Sequence, residues 1–311
     1  MKHFINTDEV EDLVALANEG LVLKKQGVGK KPGEGKVLTC LYLNPSLRTR
    51  LSTEIAARKL GMECINLAAD SAWKLETRSG IVMDGDAAEH LKEQAEVLGR
   101  YSDIIAIRAF PLLKDAQEDY HDDFITRFAK YCDIPLVSLE SGSLHPLQGL
   151  ADLMTIQETK KVARPKIVLT WAPHPRQLPQ SVANSFSRTI QQAGFDLTIA
   201  CPEGMELSEE YTGQATLVHD QEEAFEGADY IYAKNWSSFH DYGRTIQRPD
   251  WTVTQEKMSR TNQGRFMHCL PVRRNVVVSD DVLDSEASLV GQQAENRIYA
   301  AQAVLKNLLS Q

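Results

Sequence analysis

Short apolar runs separated by helical stretches recur along this chain, and that alternation restricts its possible folds more than any other feature. The runs fall at residues 37–43 (VLTCLYL), 103–107 (DIIAI), 135–139 (PLVSL), 166–170 (KIVLT), 196–200 (DLTIA) and 229–233 (DYIYA). Each reads as a strand buried on both faces. Helical stretches lie between them: one runs from the turn at Asn44-Pro45-Ser46 to about residue 60, and others cover 89–100, 124–131, 147–160 and 181–193. The pattern predicts an α/β protein whose parallel sheets are flanked by helices. With 311 residues there is room for two domains, each with its own core. A boundary is expected between Glu140 and Pro146, dividing 1–145 from 146–293, with 147–160 as the linking helix. A last amphipathic helix at 294–309 sets Ile298, Ala301, Val304, Leu305 and Leu308 on one side. The Gly- and Lys-rich stretch at 24–36 reads as a solvated loop between helix and strand, ahead of an anion-binding loop.

A formal net charge of -9 argues against a general nucleic-acid surface but leaves room for a local basic pocket. Cys40, Cys64, Cys132, Cys201 and Cys269 form no CxxC pair, so neither a disulfide framework nor a zinc site is expected, and a reducing compartment fits. His3, His90, His121, His219 and His240 are dispersed and read as surface or cap residues, and no metal is expected. The N-terminus builds no apolar signal core, and no apolar run is long enough to cross a bilayer, so a cytoplasmic protein is expected.

Three segments carry chemistry. Ser46-Leu47-Arg48-Thr49-Arg50 follows a strand and opens a helix. The free N–H groups and positive dipole end of a helix start attract anions. Two hydroxyls and two guanidinium forks extend that site. By itself the pentapeptide reads equally as a helix cap with two solvent-facing arginines. His145 and Gln148 follow the run at 135–139, and the stretch at 267–275 (MHCLPVRRN) ends another strand with a proline and a basic pair. In open α/β sheets ligands collect at the carboxyl ends of strands, where these segments would converge. A nucleotide-binding domain is disfavoured, because no GxGxxG follows a predicted strand.

In this order and spacing, SLRTR, HPLQ and HCLPVRRN resemble the carbamoyl-phosphate signatures of the ornithine carbamoyltransferase family, and the similarity spans residues 4–309. The resemblance implies a carbamoyl-phosphate domain at 1–145, joined by the C-terminal helix at 294–311, and an acceptor domain at 146–293. Carbamoyl phosphate would meet Ser46, Leu47, Arg48, Thr49, Arg50, Trp73, Arg108, His145, Gln148, Cys269, Leu270 and Arg297. Of these, Arg108, His145 and Thr49 would act on the reacting carbonyl. The main-chain carbonyls of Cys269 and Leu270 would orient the attacking amine. Trp73 would reach a neighbouring subunit's site, which implies a homotrimer with shared sites.

Departures from the family pattern point to its acylornithine branch. The Ser-Met-Gly run of ornithine enzymes is missing, and 232–236 reads YAKNW, which supplies Lys234. Glu140, His174, Lys234, Arg273 and Ala88 would bind an N-acylornithine. The stretches 73–77 and 171–176 look like the succinyl side of the branch. Ala88 stands where acetyl enzymes carry Glu and succinyl enzymes Pro, and its small uncharged side chain leaves room for a longer anionic acyl group. The expected reaction is carbamoyl transfer to N-succinylornithine in arginine biosynthesis, without a cofactor. The alternatives are an N-acetylornithine enzyme and a non-catalytic anion-binding paralogue. Read singly, Trp73 fits a packing aromatic, Arg108 a strand-end ion pair, Lys234 and Arg273 rim charges, and Cys269 a small buried hydrophobe.

Overall fold

The computed structural model describes residues 1–68, 74–111, 113 and 115–310. The first half runs α1 (Leu13–Gln26), β1 (Val37–Tyr42), α2 (Leu47–Leu60), β2 (Glu63–Ala68), β3 (Leu75–Glu76), β4 (Glu89–His90), α3 (Leu91–Tyr101), β5 (Ile104–Arg108), α4 (Ala116–Tyr120), α5 (Asp123–Tyr131) and β6 (Leu136–Glu140). Helix α6 (Pro146–Thr159) leads into β7 (Ile167–Trp171), α7 (Ser181–Gln192), β8 (Leu197–Ala200), α8 (Glu209–Thr212), β9 (Thr216–Val218), α9 (Gln221–Phe225), β10 (Tyr230–Lys234), α10 (Gln255–Met258), β11 (Arg265–Met267), α11 (Asp280–Leu283) and α12 (Val290–Leu309).

Among the described residues two large parallel sheets form, a four-stranded one ordered β2-β1-β5-β6 and a five-stranded one ordered β11-β10-β7-β8-β9, beside the two-stranded β3-β4 pair. Every residue of β5, β6, β7 and β10 is buried, as continuous apolar runs require when helices cover both faces. In the first sheet the chain builds outward from β1 to β2, then reverses to β5. In the second it builds outward from β7 through β9, then reverses to β10. Each sheet therefore has one switch point, between β1 and β5 and between β7 and β10, where crossovers diverge and leave a crevice.

The expected strands lie within a residue or two of those observed. Helix α3 begins at Leu91 rather than 89, because Glu89 and His90 pair with β3 as a short parallel ladder and the His90 ring then caps the helix by accepting from the Lys92 N–H. Strand β2 was not anticipated; as an edge strand with partly exposed residues it lacks a continuous apolar run. Helix α12 starts at Val290, four residues before the expected 294. Its inward side is polar in the first two turns, where Gln293, Asn296 and Arg297 are buried.

α12 packs on α1, α2 and α6, which ties the C-terminal segment to the first sheet's layer. α6 in turn packs on α7, and Gly149 permits the approach, since a Cβ there would lie 2.4 Å from the Thr189 hydroxyl oxygen. On the outer face of α2, Leu47, Leu51 and Ile55 form an apolar stripe at helical spacing, and Leu47 is 70% exposed. No helix among the described residues is long and apolar enough to cross a membrane.

Candidate active site

Both switch points open into one cleft of about 590 Å³, so residues from both sheets share a single cavity. On the first sheet's side the wall begins with the β1–α2 turn. Ser46 occupies the N-cap position with extended backbone, and its hydroxyl makes no capping bond. The first helical bond runs from the Arg50 N–H to the Ser46 carbonyl at 3.3 Å. The N–H groups of Leu47, Arg48 and Thr49 are thus left over by helix geometry at the cavity wall. Arg48 is half-buried, and its buried Nε has no hydrogen-bond partner among the described residues.

Arg297 reaches this turn from α12. Its guanidinium donates to the Gln148 side-chain oxygen at 2.8 Å and to the Thr49 hydroxyl at 2.7 Å. The residue is only 6% exposed, and among the described residues no carboxylate lies within ion-pair distance of it. A buried guanidinium held by neutral acceptors is costly unless an anion completes it. Burial accordingly lowers its pKa from the ordinary arginine value.

Arg108 closes β5. It pairs with Glu140 at 2.8 Å, donates to the carbonyls of Asn44 and Pro45 at 3.2 and 3.3 Å, and lies over the Phe110 ring. The strand-end ion pair read from sequence is therefore real, and its partner is another cleft residue. His145 occupies the N-cap position of α6 without a side-chain capping bond, ahead of Pro146, which suits the first helical position. Its Nε2 stands 4.0 Å from Glu140, and its buried Nδ1 has no hydrogen-bond partner among the described residues. Burial, reinforced by the Arg297 and Arg108 charges, keeps the imidazole neutral.

Behind these residues lies a polar network that sequence inspection did not find. Buried Asp152 accepts from the Gln148 amide at 2.7 Å and the Gln293 amide at 2.6 Å. The Gln293 oxygen accepts the His268 backbone N–H at 3.0 Å, and the Leu270 N–H donates to His268 Nδ1 at 2.9 Å. One carboxyl group therefore links the HPLQ segment to the backbone of the HCLP segment. Desolvation raises its pKa to about 7.

The second sheet supplies the opposite wall. Lys234 ends β10, is 8% exposed, and donates to the Asn235 carbonyl at 2.8 Å; burial lowers its pKa. Arg273 donates through Nε to His174 Nε2 at 3.0 Å, and His174 Nδ1 lies 2.9 Å from the Arg176 carbonyl and 3.1 Å from the Arg176 backbone nitrogen. Burial also lowers the His174 pKa.

Of the expected site residues, Ser46, Leu47, Arg48, Thr49, Arg108, Glu140, His145, Gln148, His174, Lys234, Cys269, Leu270 and Arg297 line this one cleft. Arg273 stands at its rim through His174, and Arg50 points out of the same turn as an exposed side chain. Ala88 is not in this chain's cleft: it is exposed, and its N–H donates to the Lys74 carbonyl at 3.1 Å. Trp73 lies outside the described residues. Sequence reading missed Phe110, Arg176 and Ser181, which also line the cleft. Phe110 and Ser181 are marked only by their positions just beyond an expected strand and at a helix start, and Arg176 only as the end of the 171–176 stretch. The dispersed cysteines and histidines do not all stay apart: Cys201, Glu206 and His219 converge at the end of the second sheet.

Residues 2–158 match the family model described as the aspartate/ornithine carbamoyltransferase carbamoyl-P binding domain, and residues 178–308 match its Asp/Orn binding domain. The chain belongs to the aspartate/ornithine carbamoyltransferase family. Within that family it is 46% identical to an N-succinylornithine carbamoyltransferase of Bacteroides thetaiotaomicron, over 99% of both chains. It is 37% identical to an N-acetylornithine carbamoyltransferase of Xanthomonas axonopodis pv. citri, over 100% of this chain and 97% of that one. A solved N-acetyl-L-ornithine transcarbamylase with a glutamate-to-alanine substitution, complexed with carbamyl phosphate and N-succinyl-L-norvaline, superimposes with a TM-score of 0.92 at 37% identity, covering 99% of this chain and 100% of that one.

The two buried histidines of this carbamoyltransferase give it a defined acid response. Burial and cationic neighbours hold His145 well below the ordinary value and His268 at about 3, against 6.5 for a free imidazole. The unfolded chain therefore takes up protons that the folded one refuses. In thermal melts the histidines' contribution to stability should be constant above pH 6.5 and fall as pH drops through the window down to about 3, against the opposite slope of any carboxylate whose pKa burial raises. In the His268→Asn variant that slope should be shallower.

Proposed function

We propose that this chain transfers the carbamoyl group of carbamoyl phosphate to the terminal amine of N-succinylornithine, giving N-succinylcitrulline and phosphate. The observation that carries the reading is Arg297, a buried cation with no carboxylate at ion-pair distance among the described residues, set against the free helix start of α2. The carbamoyl-phosphate unit is residues 1–145 with the C-terminal helix, and the acceptor unit is 146–293.

In this reading the α2 N–H groups, Ser46, Arg48 and Arg297 hold the phosphate. Arg108, Thr49 and neutral His145 donate to the carbonyl oxygen as negative charge develops on it. Gln148 and the carbonyls of Cys269 and Leu270 take amide and amine hydrogens. The amine attacks the carbonyl carbon, the C–O bond to phosphate breaks, and the departing phosphate accepts the amine proton. The cations around the cleft disfavour an ammonium, so the acceptor binds as the free amine.

Succinyl is preferred over acetyl because Lys234, Arg176 and Arg273 on the acceptor side suit a substrate with two carboxylates. The resemblance sets Ala88 at the glutamate position of acetyl enzymes. One structural neighbour carrying a glutamate-to-alanine exchange is complexed with a succinyl ligand. Citrulline-group formation from carbamoyl phosphate with ornithine, N-acetylornithine and N-succinylornithine in parallel tests this. Turnover confined to the succinyl compound supports the proposal. Preference for the acetyl compound overturns the acyl assignment, and silence with all three points to a non-catalytic paralogue.

The active form in this reading is a cytoplasmic homotrimer of arginine biosynthesis, in which the segment carrying Trp73 and Ala88 completes a neighbour's cleft. The outward position of Ala88 and the apolar stripe on α2 favour it. Subunit mixing provides the measurement. Arg48→Ala and Trp73→Ala chains, each inactive alone, should recover about a quarter of wild-type activity when exchanged at equal ratio, half of the sites having each intact partner. Mixtures that stay inactive would place both residues in one subunit's site.

A further inference from the structure

Strands β8 and β9 end side by side, and the residues just beyond them converge. Cys201 follows β8, and its N–H donates to the Val218 carbonyl at 3.1 Å. His219 follows β9. A tight turn, closed by the Met205 N–H on the Pro202 carbonyl at 3.0 Å, brings Glu206 back to both. One donor atom each from Cys201, Glu206 and His219 lies within 4.8 Å of the others.

The hydrogen bonds already orient these groups as ligands. His219 Nδ1 lies 2.9 Å from the Cys201 carbonyl oxygen, which can only accept, so the ring proton sits on Nδ1. Its Nε2 lone pair is left free, 3.7 Å from Glu206 Oε1. A backbone carbonyl fixing the far nitrogen is the support that metal-bound histidines ordinarily have. The Glu206 carboxylate is steadied by the Gly204 N–H at 3.0 Å. Cys201 is buried, whereas the His219 side chain is 39% exposed, so the triangle is closed at the sulfur and open to solvent at the imidazole.

We propose that Cys201, Glu206 and His219 form a zinc site, with water as the fourth ligand. A soft thiolate with one imidazole and one carboxylate suits a tetrahedral borderline-soft ion and not calcium or magnesium. Zinc–ligand bonds of roughly 2.0–2.3 Å require the donor atoms to close to about 3.3–3.7 Å. The exposed His219 side chain and the Glu206 side chain can make that movement. Binding forms a zinc–sulfur bond and releases the thiol proton to solvent, with no redox change. Burial, aided by Glu206, raises the free thiol pKa, so affinity should strengthen with pH by about one proton per ion.

The site lies outside the catalytic cleft but is connected to it. The Met205 carbonyl within the turn accepts the Trp236 indole N–H at 2.6 Å, and Trp236 follows Lys234 by two residues. A bound ion would thus brace the support of the acceptor loop.

The spacing of the three ligands follows no zinc motif, which is why sequence inspection passed over them. The test uses full-length protein stripped with chelator and titrated with cobalt(II). One equivalent should give thiolate-to-cobalt charge transfer in the near ultraviolet together with tetrahedral d–d bands. Cys201→Ser should abolish the charge-transfer band, and Cys269→Ser should keep it, separating this thiol from the one in the cleft. His219→Gln, at a solvent-facing position that keeps the fold, should weaken binding at least about tenfold. Zinc should raise the melting temperature of the wild type and not of the His219→Gln protein. Absence of the thiolate band in folded wild-type protein, or its persistence unchanged in His219→Gln, would overturn the proposal.

Discussion

The Arg297→Met variant is expected to remain folded while losing about a hundredfold to a thousandfold in kcat/KM for carbamoyl phosphate. The guanidinium is buried against neutral acceptors, so the folded protein carries a desolvated positive charge with no carboxylate among the described residues at ion-pair distance, Glu140 and Asp152 acting on it only from further off. Replacing it with an apolar side chain of similar length removes that desolvation cost while leaving Gln148 and Thr49 each short of a partner. The opposing terms are each about 1–3 kcal/mol, so the net change in stability should be small. The ligand response should differ sharply. Inorganic phosphate at about a hundred times its dissociation constant should stabilise the wild type by roughly 2.7 kcal/mol and leave the variant's melting curve in place. A variant that still melts higher in phosphate would show that the anion is held elsewhere.

Asp152→Ala should be the more damaging substitution, although its side chain lines no part of the cleft. It leaves the Gln148 and Gln293 amides buried without their acceptor, at about 1–3 kcal/mol each. It also releases the His268 N–H tether, so the backbone at Cys269 and Leu270 loses its register with HPLQ. Loss of kcat should exceed any change in KM for the acyl acceptor. Asp152→Asn keeps an acceptor oxygen and should retain much of the activity. The pair also separates through pH. The folded-state value of about 7 lies above the ordinary 3.8, so this group's contribution to stability is complete below 3.8 and is lost as pH rises through 7. Wild-type stability relative to Asp152→Asn should therefore decline across that interval in melts taken from pH 4 to 8.

How much of this was legible beforehand depends on whether a residue announces itself locally. The strands β1, β5, β6, β7 and β10 are fully or almost fully buried, so their apolar runs place them within a residue. Strand ends fix ligand sites in such folds, which is why the turns after β1, β6 and β11 could be marked in advance. Edge strand β2 and the short β3–β4 pair gave no comparable signal, because solvent tolerates any residue on their outer faces. The Asp152–Gln293 bond spans 141 positions, and the same spacing separates Asn296 from Thr155. An aspartate inside an apolar helix stretch and a glutamine near the chain end carry no mark of each other. Cys201, Glu206 and His219 are hidden in the same way, since only the parallel pairing of β8 with β9 joins them.

The route of α12 also bears on how the enzyme comes into being. Gln293 and Arg297 belong to the final helix, yet they secure Asp152, Gln148 and Thr49, laid down far earlier in synthesis. Domains emerging from the ribosome fold in order, so both sheets can assemble on the nascent chain while the anion pocket still lacks its clamp. The pocket is complete only once α12 has docked against α1, α2 and α6. A product lacking residues 290–309 would lose Gln293 and Arg297 together with the buried apolar face that α12 lays on α1, α2 and α6, so the pocket and part of the core would go at once.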